Sequence, residues 1–253
     1  MNILLIRLIV FACIFGGAIV GMLLSPRLPK EHLSSDSKDV IKMGMGLVGT
    51  MTAILLGLLV ASAKNFYDSQ TTELTQLSAN VILLDRVLAH YGPETKEPRD
   101  ILKGAVGRVL ETMWSRGDEQ NLQKATAAAP GGAEILYDKI QALAPQNDIQ
   151  HSLQNQALSI AIDLGKMRWL MLEQATNSVS IPLLVALVFW LAVLFGSFGL
   201  FAPPNPTVVA TLAVCAISVS AAIFLILEMY TPFGGWLAIS DAPLRSALEH
   251  LGK

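Results

Sequence analysis

The side chains able to do acid–base, metal or nucleophilic chemistry are few and scattered. The four histidines are His32, His90, His151 and His250, and none stands at metal-ligand spacing with Cys, Asp or Glu. Cys13 and Cys215 each sit alone in an apolar run, where cysteine ordinarily serves as a small buried hydrophobe. There is no Gly-x-Ser-x-Gly elbow, P-loop or zincin motif. Gly44-Met-Gly46-Leu-Val-Gly49 matches a dinucleotide-loop pattern. That fingerprint needs a strand before it and an acidic residue later in a βαβ unit; here it opens a long apolar run, and the match is chance. The expectation is a protein with no catalytic residue, no metal site and no cofactor. What remains is the chemistry of charges beside apolar runs. Arg7 lies inside the first run, Lys64 and Asp68 follow the second, and Asp85 and Arg86 come later. Lys64 and Asp68, at the end of an apolar run, read first as plain interfacial anchors. Arg7 is expected to snorkel to the interface. Asp85 and Arg86 read as solvated or helix-to-helix ion pairs.

The elements that carry these residues follow from how charge is distributed. Of 253 residues 53% are hydrophobic and 15% charged, against roughly 25% charged in an ordinary soluble domain. Residues 43–63 and 181–227 hold no Asp, Glu, Lys or Arg, whereas 64–179 hold most of the charge. A net charge of −2 gives no reason to expect a nucleic-acid partner. A helix needs about 20 apolar residues to cross the hydrocarbon layer, and four segments qualify: Ile3 to Leu24, Met43 to Ala63, Ile181 to Phe201 and Thr207 to Leu227. The first is too long, and too poor in preceding basic residues, to be a cleaved signal peptide. The partner solvent for these faces is the lipid bilayer. The predicted organisation is a first transmembrane hairpin over 1–63, a helical domain over 64–179, a second hairpin over 180–228 and a tail over 229–253. Four spans place both termini and residues 64–179 on one side, and loops 25–42 and 202–206 on the other. Arg27, Lys30, Lys38 and Lys42 on one side balance Arg7, Lys64, Lys166, Arg168 and Arg245 on the other, so the positive-inside rule leaves orientation open.

The second span runs on into water. No Pro or Gly interrupts Lys64 to Tyr91, and Tyr67, Leu74, Leu77, Val81, Leu84, Leu88 and Tyr91 recur at three- and four-residue steps, with Gln70 filling one place. Gly92-Pro93 then stops the helix. Inside the span Gly46, Thr50, Ala53, Gly57 and Ala61 form a small-residue face suited to helix packing. Leu47, Met51, Ile54 and Leu58 are read as the opposite, apolar face. Gly17 and Gly21 add a Gly-x-x-x-Gly pair in the first span. Further helices are predicted over Pro98 to Arg116, Ala133 to Leu143 and Asp148 to Thr176, with 125–132 as a loop. Alternating β-branched runs are absent, so the predicted class is an all-α membrane protein with four transmembrane helices and a helical cytosolic domain inserted between the second and third.

Three stretches carry a family resemblance: Gly46-Leu-Val-Gly-Thr-Met-Thr-Ala-Ile-Leu-Leu-Gly-Leu-Leu-Val-Ala-Ser-Ala-Lys64; Tyr91-Gly-Pro-Glu94 with the helix after it; and Glu228-Met-Tyr-Thr-Pro-Phe-Gly-Gly235 through Ile239-Ser240 and Pro243-Leu244. With the order of elements, they make the chain resemble the bacterial bestrophin-like domain proteins and, more distantly, the bestrophin ion channels. The resemblance implies a homo-oligomer, a pentamer, passing monovalent ions. It implies a narrow neck lined by the second span, with Leu47, Met51, Ile54, Leu55 and Leu58 as candidates, and it makes Lys64 and Asp68 candidates for charges at the inner pore mouth that bias which ions approach. It also implies a bacterial inner-membrane location with 64–179 and both termini cytosolic. Two features depart from the bestrophin channels: this span has no aromatic between Met43 and Ala63, and Pro232-Phe233-Gly234 is followed by Gly-Trp-Leu-Ala rather than an acidic run. Without oxygen ligands that segment offers no calcium site. The competing reading is a tetraspan scaffold or sensor without a pore, since a long helix with a packing seam suits partner binding equally well.

Overall fold

The structure, a computed structural model, describes residues 3–29, 34–114, 130–175 and 180–253. Its described residues form helices and connecting turns only: α1 (Ile3–Leu24), α2 (Ser35–Tyr91), α3 (Lys96–Met113), α4 (Pro130–Gln141), α5 (Asp148–Ala175), α6 (Ile181–Phe201), α7 (Pro206–Met229) and α8 (Ala242–His250). Four of them, α1, α2, α6 and α7, are long and apolar enough to cross a membrane, and the chain is a multi-pass, all-α membrane protein.

Local chemistry sets most helix ends. α2 starts at Ser35, so residues 35–42, expected as loop, are helical: the Ser34 hydroxyl accepts from the Ser37 N–H at 3.4 Å, and Asp36 sits in the positive first turn. With 57 residues α2 is about 85 Å long at 1.5 Å per residue. It stops at Gly92, whose φ of 142° is open to glycine and strained for other residues. Thr95 then closes the end, its hydroxyl 2.6 Å from the Leu88 carbonyl. α3 begins two residues earlier than expected and ends at Met113; residues 115 and 116 lie outside the described residues. α4 opens at Pro130, an early-helix residue, which corrects the loop expected over 130–132; 125–129 lie outside the described residues, as do His32, Lys30 and Thr176. Asn205 caps α7 by accepting from the Val208 N–H at 2.8 Å. The tail carries α8, which was not anticipated.

The chain divides into two compact units, Met1–Phe66 with Ser178–Tyr230, and Tyr67–Asn177 with Thr231–Lys253. The core of the first joins Val10, Ile14 and Ala18 of α1, Leu59 and Ala63 of α2, Leu187, Leu191 and Phe195 of α6, and Ala216, Ile223 and Ile226 of α7. Its tightest packing is α1 against α6. A Cβ added at Gly21 falls 2.0 Å from the Gly196 carbonyl oxygen, one at Gly199 falls 2.0 Å from that of Ala18, and one at Gly17 falls 2.5 Å from that of Ala192. Lipid tails are as apolar as the helices, so close backbone packing is what holds these two together. The core of the second unit joins Val81, Leu84 and Leu88 of α2 to Leu102 and Val106 of α3, Ile140 of α4, Ala157 and Ile160 of α5, and Leu244 and Ala247 of α8. The α2 seam read from the sequence faces this interior: Leu74, Val81, Leu84, Leu88 and Tyr91 are buried, and so is Gln70.

Candidate pore-lining helix

The apolar part of α2 has three faces. Thr52, Leu59 and Ala63 turn inward and are buried in the first unit's core. Leu47, Met51, Ile54 and Leu58 fall within an arc of about 60° at 3.6 residues per turn, and all four are exposed. Gly46, Thr50, Ala53, Gly57 and Ala61, expected on the opposite face, instead flank that arc on one side, because at 100° per residue the two sets centre only about 90° apart, and they are exposed as well. Leu55 flanks it on the other, half-buried against the chain's own core. Only 11% of the most apolar window of α2 is buried, against 22% to 33% in the other three spans. A Cβ added at Gly44, Gly46 or Gly57 meets nothing within 4 Å. Within one chain these glycines therefore accommodate no neighbour, in contrast to Gly17, Gly21 and Gly199.

Lys64 and Asp68 both lie at exposed positions on α2 beyond the apolar segment. One turn past Leu58, the Ser62 hydroxyl lies 3.0 Å from the Tyr230 hydroxyl, and the Tyr230 ring stacks on Phe66 with centroids 5.2 Å apart. Tyr230 caps the end of α7, so it pins this turn of α2 to the end of the second hairpin. Cys13 and Cys215 are exposed rather than buried. An outward position on a transmembrane helix meets lipid, which suits a small apolar side chain as well as a core does.

In the second unit Asp85 is buried and held by Arg99 from α3, with Nε–Oδ1 and Nη2–Oδ2 distances of 2.7 and 2.9 Å; the Gly252 N–H donates to the same carboxylate at 3.3 Å. These hydrogen bonds raise the Arg99 guanidinium above its ordinary value, against the opposing effect of burial. Asp85 thus forms a helix-to-helix pair, but with Arg99 and not through its neighbour Arg86, which is exposed and reaches the Lys253 carbonyl at 3.4 Å. The Pro232-Phe233-Gly234 turn is closed without acidic groups: the Ile239 N–H donates to the Pro232 carbonyl at 2.7 Å, and the Trp114 indole donates to the Ile239 carbonyl at 2.8 Å while meeting Phe233 edge-on. Asp241 pairs with Arg245. Among the described residues no three His, Cys, Asp or Glu side chains gather as a metal site. Arg99, Ser62 and Tyr230 escaped the sequence reading. Ser62 and Tyr230 each stood inside a stretch quoted for the resemblance, but nothing in the sequence pairs them.

No curated protein sequence matches the chain. The fold has solved counterparts. A bacterial bestrophin homologue from Klebsiella pneumoniae is similar at a TM-score of 0.67 and 12% identity, over 96% of each chain. A point variant of a Klebsiella pneumoniae bestrophin homologue is similar at 0.63 and 15% identity, over 97% of this chain and 99% of that one. A further structure, described as a membrane protein, is similar at 0.64 and 14% identity. At such identities the likeness speaks to fold. The family model for the bestrophin-like domain matches residues 12–244, nearly the whole chain, and the chain belongs to the bestrophin-like domain family.

Proposed function

We propose that this chain is the subunit of an oligomeric ion channel of the bacterial inner membrane, with α2 of each subunit around a central axis. The observation that carries the reading is the outward face of α2. Its small flank, with Gly46 and Gly57 open to at least 4 Å, has no neighbour within the chain, and close packing on a second copy gives that flank its purpose. Such packing turns the adjoining Leu47, Met51, Ile54 and Leu58 toward the axis as a hydrophobic neck that gates by dewetting. Leu55 backs this neck. Lys64 and Asp68 then stand at the inner mouth. In this reading the subunits form a closed homo-oligomeric ring, a pentamer, passing monovalent ions. Residues 64–179 and both termini are cytosolic, with the domain boundaries at 63, 179 and 228. The protein performs no catalysis in this reading.

The test is flux through proteoliposomes containing the purified protein, with oligomer mass measured on the same sample. Sodium and chloride gradients are imposed separately. Flux that changes in Ile54→Ala and Leu58→Ala supports the neck. Folded, oligomeric protein that passes no ion under any gradient returns the choice to a scaffold or sensor that uses the helical domain to bind a partner.

A further inference from the structure

We propose that the loop after α7 is a membrane-interface anchor, with Trp236 at its tip inserted into the lipid headgroup layer at the bilayer surface where α7 ends. The inference rests on the membrane-spanning fold alone and stands whether or not the chain conducts ions.

Residues 229–240 carry no Asp, Glu, Lys or Arg, so the uncharged character of α7 runs on past its last turn. Within this stretch the chain closes a loop. The Gly234 N–H donates to the Thr231 carbonyl at 3.1 Å and the Ile239 N–H to the Pro232 carbonyl at 2.7 Å. Pro232 and Ile239, at the base, are buried. The Trp114 indole holds the same base, donating to the Ile239 carbonyl at 2.8 Å and meeting Phe233 edge-on. Gly235 turns the chain at a φ of 75°, in the left-handed region that favours glycine. Trp236 follows and is 83% exposed, the highest value for a large apolar side chain among the described residues. A loop pinned at its base in this way presents the indole outward.

A single exposed apolar side chain needs no explanation in water. Here the position in the chain specifies lipid. α7 has 24 residues and is about 36 Å long, against about 30 Å of hydrocarbon, so its end reaches the headgroup layer. Trp236 comes seven residues after Met229, which keeps it within about 25 Å even on a fully extended chain, and closure of the loop shortens that reach. Aromatic side chains already gather where α7 ends: the Tyr230 ring stacks on Phe66 with centroids 5.2 Å apart, and its hydroxyl lies 3.0 Å from that of Ser62. Rings with an apolar body and a polar tip settle at the headgroup boundary, and Trp236 has both. The loop carries no charge to desolvate. The first charged residue beyond it, Asp241, is paired with Arg245.

The experiment uses the full chain in liposomes and reads tryptophan fluorescence. Subtracting the emission of Trp236→Phe from that of the unsubstituted protein isolates Trp236, and the substitution lies at an exposed position, so equal melting of the two proteins validates the difference. Three quenchers are compared: phosphatidylcholine brominated near the top of its acyl chains, the same lipid brominated near the chain ends, and iodide in the water. The Trp236 signal should be shifted to the blue of free tryptophan, lose most of its intensity to the shallow bromines, lose less to the deep ones and resist iodide. Emission at the wavelength of free tryptophan that iodide quenches fully would place the ring in water and overturn the proposal. A blue-shifted signal that neither lipid quenches would mean that protein, such as a second copy of the chain, covers the ring, and would overturn it too. Stronger quenching by the deep bromines would refute the interfacial placement.

Discussion

Substituting glycine by alanine at two positions should have opposite consequences, and the contrast tests how the helices are used. At Gly21 the new Cβ would lie 2.0 Å from the Gly196 carbonyl oxygen and 2.9 Å from both the Gly196 carbonyl carbon and the Leu200 nitrogen. These are backbone atoms, so no rotamer change relieves the overlap, and α1 and α6 must separate by more than an ångström. Separation also opens the Gly199–Ala18 and Gly17–Ala192 contacts on the same seam. Overpacking of this kind costs about 1–3 kcal/mol, and the upper end applies because the neighbour is backbone. Alanine recovers about 1 kcal/mol of helix propensity, leaving a net loss of about 2 kcal/mol. For a chain of this size that lowers the melting temperature by about 4–8 °C. At Gly57 an added Cβ meets nothing within 4 Å, so alanine should leave the chain's own stability equal or raised by up to about 1 kcal/mol. If the small flank of α2 packs on a second copy, the same substitution should weaken the oligomer. Thermal unfolding in detergent followed by circular dichroism reads the first quantity, and oligomer mass across a dilution series reads the second. A Gly21→Ala protein that melts like the unsubstituted chain refutes the α1–α6 packing argument. A Gly57→Ala protein whose oligomer is as tight as before refutes the assignment of that flank to an intersubunit contact.

Other expectations follow from the same structure. Asp85→Ala strands the Arg99 guanidinium and should destabilise the second unit by about 3 kcal/mol, the low end for a broken buried pair, since Arg99 keeps 21% of its side chain in water; chemical unfolding should show Asp85→Ala/Arg99→Met recovering most of it, and no recovery would mean the pair is not what Asp85 supports. Gly92→Ala forces a side chain into a φ of 142° and should cost about 1–3 kcal/mol, read as a lower melting temperature; an unchanged melt would remove the strain argument. Leu58→Ala should raise basal ion flux by widening an apolar constriction, and unchanged flux would exclude Leu58 from the neck. Calcium should not regulate flux through the Pro232-Phe233-Gly234 turn, which is closed by backbone and indole hydrogen bonds; a micromolar calcium response in flux, abolished by substitution there, would contradict this.

Hydropathy and helical periodicity are properties of neighbouring residues, so what they control was legible in the amino-acid order alone. The uncharged runs 43–63 and 181–227 defined spans because lipid excludes charge whatever the tertiary arrangement. The three- and four-residue spacing from Leu74 to Tyr91 predicted which side of α2 is buried, and Gly92-Pro93 predicted its end. The start of α2 was missed because Ser34 as a cap has no hydrophobic signature. Pairings between distant segments were not legible. That an added Cβ meets the neighbouring backbone at Gly17, Gly21 and Gly199 but nothing within 4 Å at Gly46 and Gly57 depends on how each helix is rotated, which glycine spacing along the chain does not reveal. Ile54 and Leu55 are adjacent leucine-sized residues; only the rotation set by burying Leu59 and Ala63 turns one outward and holds the other against the core. Arg99 became the partner of Asp85, and Tyr230 that of Ser62, through three-dimensional proximity between helices, which a one-dimensional pattern does not encode.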